Sequence, residues 1–195
     1  PDPNGNGNPG EAGENDPTPI PVPRIGVAKQ AGGVVNNGDG TYNVPFTLTV
    51  RNYGQTPLSN VQMTDALAGA LPQFGTYTAS AVPSAGQYTI TSGPTVGAQS
   101  NGAALTAVAA GVFTGNGAGT ALLVAGSSSL PSFGASASSA QVTFTVRFFP
   151  TTQGPFNNSA VAAGSPPGGG TVTDNSVAGG NPDANGNGDP ADDAA

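Results

Sequence analysis

The side chains that could do chemistry are oxygen donors gathered at the two ends of the chain. Near the C-terminus, residues 182–193 read PDANGNGDPADD. Asp183, Asn185 and Asn187 stand at alternate positions ahead of Gly188, with Asp189 and Asp192 behind them. Calcium takes roughly six to eight oxygens from carboxylates, amide carbonyls and backbone carbonyls. Alternate spacing on a tight glycine-containing loop lets three such side chains converge on one ion. Near the N-terminus, PDPNGNGNPGE repeats the pattern: Asp2, Asn4 and Asn6 precede Gly7, with Asn8 and Glu11 behind. Neither motif has the closing glutamate or the flanking helices of an EF-hand. Asn replaces Asp at two of the three leading positions, which lowers the charge offered to an ion. These ten residues are the candidate calcium ligands. The alternative reading is a solvated acidic linker that holds no ion.

The remaining inventory is poor in catalytic groups. The chain has no histidine and no cysteine, and Lys29 is its single lysine, so no serine has a base to activate it. Asp39 and Asp65 are the only acids of the middle and could be posed as a glycosidase pair. Asp39, however, sits in a turn signal and Asp65 at a strand end, and both read as structural. The segment GNGAGT at 115–120 lacks the third glycine of a dinucleotide fingerprint and the lysine of a P-loop, so it reads as a loop. Asn157-Asn158-Ser159 is a formal N-glycan acceptor. Arg51 and Arg147 fall on faces expected to be wet, where they stand alone or meet acids of a neighbouring unit. No catalytic residues are assigned, and the chain is not expected to be an enzyme.

The elements that must position these residues are strands. Every Phe and Tyr lies between Tyr42 and Phe156, whereas nearly all the acids lie outside that span. A folded middle with acidic ends follows. The net charge of −7 disfavours nucleic acid, whose phosphates need clustered cations, and an anionic membrane surface. There is no apolar run long enough to span a bilayer. The chain starts on Pro1 inside a linker-like motif, which reads as a processed product or a segment of a longer polypeptide.

Residues 1–23 carry no hydrophobic period, and their prolines predict a stiff extended stretch over 17–23. Arg24–Gln30 puts Ile25 and Val27 on one face. NNGDG at 36–40 is a hairpin turn. Tyr42–Asn52 alternates strictly, with Tyr42, Val44, Phe46, Leu48 and Val50 on one side, which predicts a strand with one buried face; Pro45 predicts an edge or a bulge. Shorter strands are expected at Val61–Thr64, Gln87–Thr91, Ala104–Val108 and Ala121–Val124. Gln141–Phe149 is the second clean alternation. Ser159–Ala162 and Thr171–Thr173 flank GSPPGGG as a last hairpin. The expected fold is all-β: an Ig-like sandwich of about eight to ten short antiparallel strands over residues 24–180, flanked by linkers at 1–23 and 181–195. Residues 92–139, rich in Ala, Gly and Ser, are left open as an insertion or long loops.

RIGVAKQ, then YNVPFTLTVRNYGQTPLSNVQMTDAL, SSAQVTFTVRFFP, FNNSAVAAG and GGGTVTDNS, closing on PDANGNGDP, resemble the bacterial surface-repeat domain of unknown function eleven. The resemblance spans about residues 24–180, and its distinctive pieces are the Asn52-Tyr53-Gly54 turn and the Thr64-Asp65-Ala66-Leu67 step. The chain departs from that pattern in its long Ala/Gly/Ser stretch before Ala140. The resemblance implies an Ig-like sandwich from large, tandemly repeated surface or secreted proteins, and it implies no catalytic residues.

The near-identical ends imply a repeat whose period is close to the chain length, or a pair of linkers serving successive units. The expected function is a structural unit of an extracellular bacterial fibre, stalk or surface protein. Its partners would be copies of itself, joined head to tail and stiffened by calcium. The extended 17–29 segment is a candidate donated strand. The alternative is an adhesin module that binds glycan or a host surface through Phe74, Tyr77, Phe113 and Phe133.

Overall fold

A computed structural model of the chain describes Gly7 and residues 21–69, 73–132 and 137–193. Two sheets pack face to face. The strands are β1 (Ile25–Ala31), β2 (Val35–Asn36), β3 (Tyr42–Asn52), β4 (Ser59–Asp65), β5 (Thr76–Tyr77), β6 (Gln87–Ser100), β7 (Ser139–Phe148), β8 (Ala160–Ser165), β9 (Val172–Asn175) and β10 (Val177–Ala178), followed by a 3₁₀ turn at Pro190–Asp192. The larger sheet runs β10-β1-β3-β7-β6-β5, with β2 also on β3. The smaller runs β4-β8-β9. The all-β sandwich expected from alternation is what the chain forms. Not every pairing is antiparallel: β1 with β10 and β5 with β6 are parallel.

The centre of the large sheet follows from the sequence period. Tyr42 through Arg51 of β3 pair residue for residue with Phe148 through Ser139 of β7. This register sends Val44, Phe46, Leu48 and Val50, with Val142, Phe144 and Val146, into one buried core. Each such side chain removed from water contributes on the order of 1.5–3 kcal/mol. Pro45 is not at an edge of the sheet but faces an irregularity: between Ala31↔Phe46 and Val35↔Asn43 the register slips by one residue, so that residues 32–34 face residues 44 and 45. It sits where pairing with β1 has ended at Phe46 and pairing with β2, which starts at Asn43, has not begun, and its carbonyl accepts the Gly32 N–H at 2.8 Å. A missing N–H is tolerated in that gap.

Residues 104–130 complete the second layer. They form isolated bridges rather than named strands, Leu58 to Leu130, Thr64 to Ala121, Ala104 to Ser129 and Ala107 to Leu123. This ribbon lies along the edge of β4 that β8 leaves free, and it delivers Leu105, Phe113, Leu122, Leu123 and Leu130 to the core. Asn52, 1% exposed, ties the sheets at this end. Its amide donates to the carbonyls of Thr56 (2.8 Å) and Leu130 (3.0 Å) and accepts the Gly54 N–H (2.9 Å).

Two further contacts cross between the layers. The Val27 N–H of β1 donates to Asp174 of β9 at 2.7 Å, and Lys29 of β1 meets Asp65 of β4. Segment 25–29, the inner half of the proposed donor strand, therefore pairs within its own chain, with β3 and β10.

Candidate functional site

The C-terminal motif folds into a closed loop. Asp183 is buried, and its two carboxylate oxygens accept the N–H groups of Gly186 and Gly188, both at 3.0 Å. Asn185 accepts the Asn187 N–H at 2.9 Å, and Asn187 accepts the Asp189 N–H at 2.7 Å. Their amide nitrogens then donate to opposite oxygens of Asp192, at 3.0 and 2.7 Å. Gly186 and Gly188 carry φ of +75° and +83°, the left-handed geometry that glycine adopts without strain. The sequence motif is thus a local program, with small polar side chains bonding their own backbone two residues on.

Four of the five candidate ligands here, Asp183, Asn185, Asn187 and Asp192, are brought together. Asp189 is not: it turns outward to Arg24 at 3.6 Å. Asp193 joins instead, accepting the N–H groups of Ala184 (2.7 Å) and Asn185 (3.3 Å). The donor set is all oxygen and suits a hard cation in chemistry. The described residues contain no group of three or more His, Cys, Asp or Glu arranged to hold a metal. Asp2, Asn4, Asn6, Asn8 and Glu11 lie outside the described residues.

The loop is seated on the sandwich. Arg24 donates to the Gly188 carbonyl at 3.1 Å. A Cβ built on Gly26 would meet Pro190 at 2.7 Å and the Tyr53 ring at 2.8 Å, so that glycine makes room for the 3₁₀ turn. Arg24, just ahead of β1, therefore lies beside the loop.

Other candidates resolve into structural roles. Asp39 holds its own turn, accepting the Thr41 hydroxyl at 2.5 Å and N–H at 3.1 Å. It also pairs with Arg147 at 2.5 Å, so this arginine is engaged within the chain rather than left for a neighbour. The Thr41 hydroxyl, then its N–H, hold the Asp39 carboxyl below its usual range. Arg51 lies over the Tyr53 ring, 4.9 Å from its centroid. Segment 115–120 is a turn, closed by Gly119 N–H to the Asn116 carbonyl. Phe74 and Phe113 are core residues, Tyr77 packs on Tyr88, and Phe133 lies outside the described residues. A glycan surface built on Phe74 and Phe113 is corrected: their rings are consumed by packing.

A site that the motif reading missed lies inside the sandwich. Lys29 is 6% exposed and Asp65 1%. The Lys29 Nζ stands 2.5 Å from Asp65 Oδ2, between the rings of Phe46 and Phe144, 4.5 and 5.7 Å from their centroids. Asn158 donates to the other Asp65 oxygen at 2.9 Å. Its own Oδ1 is buried with no hydrogen-bond partner. Burial pushes Lys29 down, against the pull of Asp65. Burial likewise pushes Asp65 up, against Lys29 and Asn158. Both shifts favour the neutral forms. A cleft of about 960 Å³, lined in part by Lys29, Phe46, Phe74 and Asn158, opens beside the trio.

The signal for this site was parity. Lys29 shares the inward face of β1 with Ile25 and Val27, and Asp65 that of β4 with Val61 and Met63. Asn158 stands two residues before the buried Ala160 that pairs with Asp65.

No known protein-family model matches the chain, and no curated protein is similar to it in sequence. Among solved structures, the archaellum periplasmic stator protein FlaG from Sulfolobus acidocaldarius aligns over 76% of this chain and 98% of its own, at 14% identity and a TM-score of 0.20. A likeness that low carries no argument about role. Among the described residues, no helix is long and apolar enough to cross a membrane.

Proposed function

We propose that the chain is a non-catalytic structural unit of a bacterial extracellular fibre, stalk or surface protein. Neighbouring copies join through the terminal motifs, as in the surface-repeat domains that its strands resemble. The observation that supports this reading is the docked loop at 181–193. A linker with no structural task has no reason to satisfy its polar groups one by one and to seat Pro190 against Gly26. The same motif occurs at residues 1–11. A unit that ends in a folded, anchored loop presents its neighbour with a defined joint.

Removal of residues 1–23 tests the joint directly. Assembled material seen by electron microscopy should disappear, and fibres of normal length and number from the shortened chain would overturn the reading.

Calcium at the C-terminal loop is the finer part of the proposal. Asp183, Asn185, Asn187 and Asp192 would hold the ion, which supplies charge neutralisation and stiffness, not chemistry. A ligand that binds only the folded form stabilises it, by about 2.7 kcal/mol at a hundredfold excess over Kd. Thermal unfolding should therefore move up with calcium and back with chelator, and Asp183→Ala should abolish the difference. Identical melting with and without the ion removes calcium from the proposal and leaves the joint standing.

A further inference from the structure

The buried Lys29–Asp65 pair is costly as an ion pair. Two charges taken out of water are repaid by their attraction only when geometry is good and the remaining polar atoms are satisfied, yet Asn158 Oδ1 has no partner among the described residues. The same arrangement is well suited to a reaction. Lysine becomes a nucleophile when a dry pocket takes its proton away. A carboxylic acid between amine and amide can move that proton. Groups that a folded core holds against one carboxyl, as Lys29 and Asn158 are held against the two oxygens of Asp65, react as if at very high concentration.

We propose that Lys29 and Asn158 form an intramolecular isopeptide bond, with Asp65 as the proton carrier. Asp65 Oδ2, 2.5 Å from Nζ, accepts the ammonium proton and leaves a neutral amine. The Nζ lone pair attacks Cγ of Asn158, and the carbonyl π electrons move to Oδ1. The tetrahedral centre collapses, the bond from Cγ to Nδ2 breaks, and that nitrogen leaves as ammonia. Asp65 takes the second proton from Nζ and delivers its own to the departing nitrogen, which already lies 2.9 Å from Oδ1 of the same carboxyl. One C–N bond forms, one breaks, and no oxidant or reductant takes part. The depressed Lys29 and elevated Asp65 favour the neutral reactants. Phe46 and Phe144 keep water from the amine, and the adjoining cleft gives ammonia a way out.

The bond would tie β1 of one sheet to the segment leading into β8 of the other. Tension that enters at Arg24 would pass through Lys29 to Asn158 and out through β8, β9 and β10. The core between those residues would carry no load. This inference rests on Lys29, Asp65 and Asn158 alone and does not depend on the joint or on calcium.

Mass spectrometry of the folded full chain tests it. The intact mass should fall short of the sequence mass by one ammonia, about 17 Da. Asn-Gly steps can lose the same mass by cyclisation, so the site must be read from peptides. Trypsin cannot cut after an acylated lysine. The digest should contain residues 25–51 joined to residues 148–195, and free IGVAK should be absent. Lys29→Met and Asp65→Asn should each restore separate peptides. Should either variant fail to fold, the wild-type digest still decides. Free IGVAK in quantity from the wild type overturns the proposal. So does residues 25–51 joined to 52–147 with loss of water, which would make Asp65 the acyl partner.

Discussion

Two ion pairs in this molecule have the same nitrogen–oxygen separation, 2.5 Å, and opposite meanings. The side chains of Lys29 and Asp65 are 4% and 0% exposed, while those of Arg147 and Asp39 are 19% and 43% exposed. Inside, desolvation outweighs attraction and drives both partners toward their neutral forms. Outside, water already stabilises the charges, and Asp39 is governed first by the Thr41 hydroxyl. Distance does not decide what a charged pair does; the surrounding medium does.

The largest expected effect comes from breaking the inner pair. Asp65→Ala should cost about 3–5 kcal/mol, because it strands a lysine among aromatic rings. Urea unfolding measures this, and a loss below about 1 kcal/mol would show that Lys29 had escaped to solvent. A sharper comparison replaces both partners, as Lys29→Met with Asp65→Leu. For a simple ion pair, an apolar replacement of similar volume is neutral or stabilising. If Lys29 is bonded to Asn158, the double variant loses a covalent tie and should be less stable by about 2–4 kcal/mol.

An intermediate effect is expected at the docked loop. Gly26→Ala places a methyl group 2.7 Å from Pro190 and 2.8 Å from Tyr53. Overpacking of this kind costs about 1–3 kcal/mol. The loop can move where β1 cannot, so much of that cost should appear as undocking. Hydrogen exchange at Gly186 and Gly188 should show it first as faster exchange across 181–193, with β3 and β7 unchanged. Uniformly faster exchange throughout the sandwich would show that loop and core unfold as one unit.

How much of this was legible in the sequence depends on side-chain size. β3 and β7 could be read residue by residue, because Phe, Leu and Val alternate with Thr, Asn and Arg, and the pleat has the same period. The ribbon at 104–130 was legible only in part: the segments expected at Ala104–Val108 and Ala121–Val124 carry its bridges, but Ala, Gly and Ser leave no contrast between faces to say what they pair with. β6 was expected to stop at Thr91 and instead continues to Ser100 through three register shifts against β7, a path that local alternation does not encode. The terminal loop was legible because its bonds are local: Asp183 reaches only as far as Gly188. The inner trio was half legible. Alternation carries Lys29 onto the face of Ile25 and Val27, and Asp65 onto that of Val61 and Met63, but Asn158 precedes β8, and the meeting of the three depends on how two sheets stack, which no short-range pattern carries.

The smallest effect tests the outer pair, and its pH dependence gives the comparison its sign. Asp39 is held below its ordinary value of 3.8, so in the window beneath that value the unfolded chain binds more protons. Its contribution is present above the unfolded pKa and is lost as pH falls through the folded one. Asp65 is raised, so its desolvation works the other way: that contribution is complete below 3.8 and is lost as pH rises through the folded value. Carboxyl titrations followed by NMR should place Asp39 below the usual range and Asp65 above it. Arg147→Ala should weaken the turn at 36–41 only slightly at neutral pH, and the difference from wild type should shrink in about 1 M salt, which screens partly exposed charges strongly. A loss that persists in high salt would assign the contribution to the neutral-acceptor bonds from Arg147 to Thr41 (2.9 Å) and to the Ala81 carbonyl (3.2 Å). The outer pair would then be a fastener of the turn rather than an electrostatic contact.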